Sequence, residues 1–157
     1  MIPVLAASIL LAQAVPSTQP SAGPTIAAPW KSAPPPDKSY YAHYVRQEAD
    51  GTESLILGKL DICNCQPTDD AAMIQNSAQQ VPGAHVARSR TMICGQQAER
   101  LVITGMADSQ RNNSEILLFR QGDAMIILTY AFKLAAPLAE DEAGLLTLCP
   151  QANITTH

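Results

Sequence analysis

The sequence predicts an α+β fold, in which a twisted antiparallel sheet of about six strands carries two packed helices. Three observations support this prediction. Short apolar segments alternate with Gly-containing turns, one amphipathic helix pattern follows the second strand, and another helix pattern follows the last strand. Because the turns are short, we expect neighbouring strands to pair antiparallel. The 157 residues are enough for one domain with its own core.

The first two strands are predicted at residues 39–47 and 54–62, which are rich in Tyr, Val, Ile and Leu. Asp50 and Gly51 lie between them and indicate a hairpin, because this dipeptide accepts positive φ angles. This hairpin is expected to be the first element of the folded domain in chain order.

The first helix is predicted to follow this hairpin. Thr68 is the expected N-cap, and Asp69 and Asp70 then lie in the first turn, where the helix dipole favours acidic side chains. The apolar residues that recur at helical spacing are Ala71, Ile74, Ala78 and Val81. Pro82 followed by Gly83 ends the helix.

Four more strands are predicted, at residues 85–94, 98–105, 115–120 and 124–132. The connections between them are Gly95-Gln96-Gln97, a polar loop at residues 108–113, and Gln121-Gly122-Asp123. The last strand is apolar on both faces, which indicates a central strand that is covered on both sides.

The second helix is predicted at residues 137–149. Pro137 suits its first position, and Glu140, Asp141 and Glu142 follow in the first turns, where acidic side chains are favoured. The side chains expected to face the sheet are Leu138, Leu145, Leu148 and Cys149.

The N-terminal segment predicts an exported protein. Residues 2–11 form an apolar run that is too short to span a bilayer, which takes about 20 residues. Ala12 and Ala14 are small residues that suit cleavage after Ala14. We therefore predict a signal peptide at residues 1–14 and a periplasmic or secreted location. The segment lacks the Lys or Arg that usually opens a signal peptide, so either the true start lies upstream or the signal is weak. The alternative is a buried N-terminal helix, against which Pro3 and Pro16 argue.

The next segment, residues 15–38, is rich in Pro, Ser, Ala and Thr, which predicts a flexible, extended leader. A single domain is predicted at residues 39–150, followed by a tail at residues 151–157. Trp30 lies within the leader. Two interpretations stay open for it: it folds back onto the sheet, or it contacts a partner.

Four cysteines, Cys63, Cys65, Cys94 and Cys149, predict two disulfides in an exported chain. A bridge between Cys63 and Cys65 would close a very tight ring. We therefore expect one of these two to bond Cys94 and the other to bond Cys149. Two alternatives stay open: Cys63 and Cys65 form an exchange-active dithiol, or all four thiolates bind zinc, although the usual Cys-x-x-Cys pairs are absent.

Composition and motifs exclude several function classes. The net charge is −4 and there is no basic run, so we expect no binding to nucleic acid or to an anionic membrane. Phosphate-loop, dinucleotide and nucleophile-elbow motifs are absent from the sequence, so we predict no catalytic residue, no cofactor and no enzyme activity. The three histidines, His43, His85 and His157, have no acidic residue at metal-ligand spacing, so no metal site is predicted.

Three arginines form a candidate anion-binding patch. Arg88 and Arg90 share one face of a predicted strand, and Arg100 is expected as their cross-strand neighbour. Three guanidinium groups together would hold a carboxylate or a phosphate. The alternative is a solvated sheet face with Glu99 and Glu115 nearby.

The order of elements over residues 39–149 resembles the PsbP-like fold family. That family includes a photosystem accessory protein, a nuclear-import factor and many exported bacterial proteins. Two stretches carry the likeness besides the element order: CGQQAERL at residues 94–101, where one strand ends and the next begins, and GDAMIILTY at residues 122–130, a turn and a central strand. The resemblance implies a non-enzymatic accessory or assembly factor that binds other proteins, and it assigns no binding residue.

Three functional hypotheses follow. The first is an exported domain that binds an unidentified protein partner or assists envelope assembly. The second is a thiol–disulfide protein that uses Cys63 and Cys65. The third is a small-ligand carrier with a pocket between the sheet and a helix. The sequence predicts no oligomeric state.

Overall fold

The computed structural model describes residues 26–27, 29–106 and 112–151. The predicted signal peptide, half of the predicted leader (residues 15–25 and 28), and the tail beyond residue 151 with His157 lie outside these residues. The described strands are β1 Lys31–Ser32, β2 Tyr40–Gln47, β3 Glu53–Ile62, β4 His85–Ile93, β5 Gln96–Thr104, β6 Asn113–Gln121 and β7 Ala124–Phe132. The described helices are α1 Pro67–Gln79 and α2 Ala139–Leu145.

The strands form one antiparallel sheet in the order β1-β2-β3-β7-β6-β5-β4. The predicted α+β class is therefore confirmed. The sheet has one strand more than the expected six, because Lys31 and Ser32 pair with Val45 and Tyr44 of β2. The strand that is apolar on both faces, β7, lies in the middle of the sheet, as predicted.

The two helices cover opposite faces of the sheet. On one face, Ala71 of α1 packs against Leu101 and Leu118. On the other face, Leu145 of α2 joins a larger cluster that includes Leu117. Leu117 and Leu118 are consecutive in β6, so their side chains point to opposite faces. None of the described helices is long and apolar enough to cross a membrane.

The folded part begins earlier in the chain than the predicted boundary at residue 39. Trp30 is 7% exposed and belongs to the core cluster on the α2 face, and the short strand β1 follows it directly. Of the two interpretations of Trp30, the structure shows the one in which the indole packs onto the sheet.

Both helices begin and end differently from the prediction. The N-cap of α1 is Gln66, whose side chain makes no cap hydrogen bond, and Pro67 occupies the start of the helix. The expected N-cap, Thr68, lies inside the helix, and its hydroxyl donates to Glu99. The second helix is shorter than residues 137–149. It runs from Ala139 to Leu145 with Leu138 as its N-cap, so Pro137 lies before the helix and not at its first position.

The predicted disulfide connectivity is wrong. The structure pairs Cys63 with Cys65, and Cys94 with Cys149, with Cα–Cα distances of 5.2 and 5.6 Å. The reason lies in the strand order, because β3 and β4 are four positions apart, which is about 19 Å at the usual strand spacing. Cysteines that follow β3 therefore lie far from the end of β4. The same pairing leaves none of the four thiols free for a zinc site.

Candidate functional site

One end of the sheet is an open edge. Strand β4 pairs with β5 without a bulge, from His85 opposite Thr104 to Ile93 opposite Gln96, and no described strand pairs with its other side. An unpaired strand edge presents backbone N–H and C=O groups that another chain can bind. The opposite end of the sheet is the two-residue strand β1, which offers much less backbone.

Two of the predicted patch arginines lie on this open edge. Arg88 and Arg90 both bind the carboxylate of Glu99, at 2.9 and 3.0 Å. Burial raises the pKa of Glu99, but the two guanidinium groups outweigh it and hold that pKa below its usual value. Two positive charges share one negative charge, so the edge strand keeps one positive charge in excess. The Arg90 side chain is 61% exposed.

The third patch arginine, Arg100, lies on the other face of the sheet. The register places Arg100 opposite Ser89, and residues directly opposite share a face. The reason is the β4–β5 turn, which has two residues, Cys94 and Gly95, both with positive φ (55° and 73°). The predicted three-residue turn would have put Arg100 beside Arg88 and Arg90. The expected placement of Arg100 as their cross-strand neighbour on the same face is therefore wrong, and anion binding at these arginines stays a prediction.

Arg100 instead binds two carboxylates at a cavity of about 260 Å3 beside α2. Its guanidinium contacts Glu115 at 2.6 Å and also Glu142. Glu115 is 2% exposed, and its Oε2 atom has no hydrogen-bond partner among the described residues. Burial raises the pKa of Glu115 despite the Arg100 contact, and the neighbouring Glu142 adds to the rise. We name this site the Glu115 cavity.

The sequence contained a signal for this cavity. Glu115 alternates with Leu117 and Phe119 in the predicted strand, which places an acidic side chain on an apolar face. A carboxylate on a core face needs a buried partner. Glu115 was instead expected near a solvated sheet face, so the burial of its carboxylate was not predicted.

A second buried polar network joins the two ends of the described chain. Asp141 of α2 accepts hydrogen bonds from Trp30 Nε1 at 2.9 Å, Arg46 Nη1 at 2.8 Å and Tyr130 Oη at 2.6 Å. The Arg46 guanidinium also lies 4.7 Å from the centre of the Trp30 ring and binds Glu48. Burial, with the hydrogen bond to Asp141, raises the pKa of Tyr130 well above its usual range. The three donors together contact both carboxylate oxygens of Asp141.

The Cys63–Cys65 disulfide lies in the connection from β3 to α1. Both cysteines are half-buried. Arg120 of β6 donates from Nη1 to the backbone carbonyls of Cys63 at 3.0 Å and Cys65 at 2.8 Å. A guanidinium group and the start of α1 therefore lie beside the disulfide. Both features favour a thiolate when a disulfide is reduced.

Comparisons with known proteins identify no family. The chain matches no protein-family model and no curated protein. It is similar to the crystal structure of PA94 from Pseudomonas aeruginosa, a protein of unknown function, with 18% identity, a TM-score of 0.49 and coverage of 87% of this chain and 89% of that chain. It is also similar to LpqN of Mycobacterium tuberculosis, which is described as involved in cell envelope biogenesis, with 14% identity, a TM-score of 0.49 and coverage of 78% and 73%. Neither likeness identifies the PsbP-like family, which stays a prediction.

Proposed function

We propose that the mature protein is an exported binding domain that captures an extended segment of a partner protein along β4. The observation that carries this proposal is the open edge from His85 to Ile93, which has regular pairing on one side and no described strand on the other. An added strand gains backbone hydrogen bonds along such an edge, and neighbouring side chains give it specificity.

Two features of this edge favour binding: its charge favours an acidic partner segment, and its rigidity favours tight binding. Arg88 and Arg90 share the single carboxylate of Glu99, so one positive charge is available to the partner. The Cys94–Cys149 disulfide ties the end of β4 to the segment after α2. A strand held in this way loses little freedom when it binds, which improves affinity.

The test is site-specific photo-crosslinking in the exporting cell. A photoreactive residue replaces Met92 on β4 or, as the matched control, Met73 on α1; these side chains are 61% and 62% exposed. We expect a discrete crosslinked partner at position 92 and none at position 73. Equal crosslinking at both positions, or none at position 92, contradicts the proposal.

Charge reversal then tests how the partner is recognised. Replacing Arg90 with Glu is expected to weaken the crosslink at position 92, because it removes the excess positive charge of the edge. Lys38, an exposed cation outside the sheet, provides the control: Lys38→Glu should leave the crosslink unchanged. Equal effects of the two substitutions would point to the total charge of the chain and not to β4.

A second candidate function is thiol–disulfide exchange at Cys63 and Cys65. The specific observation in its favour is that these two cysteines pair with each other. A bridge with a sequence separation of 2 constrains the unfolded chain by only about 1.5–2 kcal/mol. In the reaction, a partner thiolate attacks one sulfur to form a mixed disulfide and releases the other as a thiolate. The partner's second thiolate then displaces the bound sulfur, so the partner dithiol is oxidised and both cysteines are reduced.

A redox titration against glutathione, with alkylation and mass measurement, tests this candidate. The Cys94–Cys149 disulfide in the same molecule is the internal control and should stay oxidised. We expect Cys63 and Cys65 to be reduced first, at a potential above about −300 mV. A lower potential would assign the bridge a structural role only. Arg120→Gln should raise the pKa of the reduced thiols, because it removes the adjacent positive charge.

A further inference from the structure

The charges in the Glu115 cavity do not balance when both of its carboxyl groups are ionised. The carboxylates of Glu115 and Glu142 share the guanidinium of Arg100, so two negative charges face one positive charge. Glu115 comes from β6 and is 2% exposed, whereas the Glu142 side chain comes from α2 and is 30% exposed. An uncompensated charge at the buried position is unfavourable, because water cannot solvate it there.

One oxygen of this cluster also lacks a hydrogen-bond donor. Glu115 Oε1 accepts from Arg100, but Oε2 is buried and has no partner in the described part of the chain. The side chain of Glu142 lies within hydrogen-bond reach of Glu115, yet an ionised carboxylate can only accept. A single proton held between the two carboxyl groups supplies the missing donor and removes the excess negative charge.

Other charged and titratable groups near Glu115 are engaged elsewhere. On β7, Tyr130 lies opposite Glu115, but its hydroxyl donates to Asp141 of α2 at 2.6 Å. On β4, Arg90 binds Glu99, its opposite residue in the register. That pair lies on the α1 face with Leu118, so it does not neutralise the carboxylates on the α2 face.

We propose that Glu115, Glu142 and Arg100 form a proton-operated latch between β6 and α2. With the proton bound, the two carboxyl groups share it, and the Glu142 side chain is held against the sheet. When the proton leaves to solvent, the two carboxylates repel each other. Arg100 then stays with Glu115, which cannot reach water, and the partly exposed Glu142 side chain moves out into solvent.

The latch closes in acid and opens as the pH rises. Burial raises the pKa of Glu115 despite Arg100, and Glu142 adds to the rise, so the proton is lost above the ordinary 4.5 of a glutamate. Opening removes the Glu142 side chain from the wall of the Glu115 cavity, which therefore widens. The latch is separate from the capture of a partner along β4, because none of its three residues belongs to that strand.

The test is a pH titration of the full mature protein, labelled with carbon-13, in which NMR follows the side-chain carboxyl carbons. An uncharged, soluble paramagnetic agent measures the exposure of each glutamate in parallel. We expect Glu115 to titrate above pH 4.5 and the Glu142 methylene signals to broaden more strongly over the same range. Glu140, which is exposed on the same helix, is the internal control and should show no such change. Titration of Glu115 at or below pH 4.5, or unchanged broadening of Glu142, overturns the proposal.

Two variants assign the transition to this pair of carboxyl groups. Glu142→Gln keeps the shape of the side chain and offers an uncharged amide donor to Glu115. It should bring the pKa of Glu115 to 4.5 or below and abolish the change in exposure at position 142. Glu140→Gln removes the same charge from the same helix and should leave the Glu115 titration unchanged. Equal effects of the two substitutions would contradict the latch, and if Glu142→Gln does not fold, the wild-type titration decides alone.

Discussion

Replacing Asp141 with Asn tests whether charge holds the buried network together. Asp141 is 3% exposed and Arg46 is 6% exposed, so water cannot replace either partner in the folded state. Removing one partner of a buried ion pair typically costs about 3–5 kcal/mol. Arg46 keeps its second carboxylate, that of Glu48, which is 26% exposed. We therefore expect the free energy of unfolding to fall by about 3 kcal/mol, the lower end of this range.

Urea denaturation followed by far-ultraviolet circular dichroism measures this loss. With a slope of about 1.5 kcal/mol per molar urea, the midpoint should fall by about 2 M. The control is Asp61→Asn, because Asp61 is 49% exposed and its contact with Lys59 is 3.8 Å long. That variant should change the stability by less than about 1 kcal/mol. A loss of the same small size for Asp141→Asn would refute the reasoning.

The contribution of the indole is measured by a double-mutant cycle. Trp30→Phe keeps an aromatic ring and removes the N–H that donates to Asp141. A hydrogen bond to a charged group contributes about 1.5–3 kcal/mol. If the two residues are coupled, the double variant should lose clearly less than the sum of the single losses. Strict additivity would mean that Trp30 contributes by packing alone.

Three further predictions concern stability. Replacing Cys94 and Cys149 together with Ala should lower the free energy of unfolding by about 4 kcal/mol in urea denaturation, because their sequence separation is 55; a loss below about 1 kcal/mol would contradict this. The pKa of Glu115 is raised above its ordinary 4.5, so the folded state binds that proton more tightly than the unfolded state. Wild-type stability should therefore fall as pH rises from about 4.5 through the raised pKa, and melting curves should show Glu115→Gln gaining on the wild type over that range. Gly58→Ala should cost about 1–3 kcal/mol in the same urea assay, because its Cβ would lie 2.5 Å from Cζ of Tyr41; unchanged stability would mean that the ring moves freely.

Local patterns were enough to predict most of the sheet. The apolar run from Ala124 to Phe132 identified the central strand, because burial on both faces removes the usual alternation. Asp50 and Gly51 identified the first hairpin, because the required backbone angles restrict the residue types. These features depend on a few neighbouring residues, so a single sequence contains them.

The sequence predictions that were wrong concern features that no local pattern encodes. Trp30 looked like part of a leader because its surroundings are rich in Pro, while its partner Asp141 lies 111 residues away. The β4–β5 turn has two residues where three were predicted. This difference places Arg100 on the other face of the sheet, since a shift of one residue moves a side chain to the other face. Cys94 adopts a positive φ in this turn. A positive φ is uncommon for residues other than Gly, so the residue type did not predict it.

The pairing of β3 with β7 determines when the chain can fold. Eight residue pairs join them, from Leu55 opposite Ala131 to Ile62 opposite Ala124, and the partners are more than sixty positions apart. A growing chain therefore has no neighbour for the inner edge of β3 until β7 has been synthesised. Such distant pairing slows folding, because the chain must close long loops before these contacts form. A chain that stops before Ala124 keeps the apolar β3 edge exposed, so it should aggregate and not fold in part.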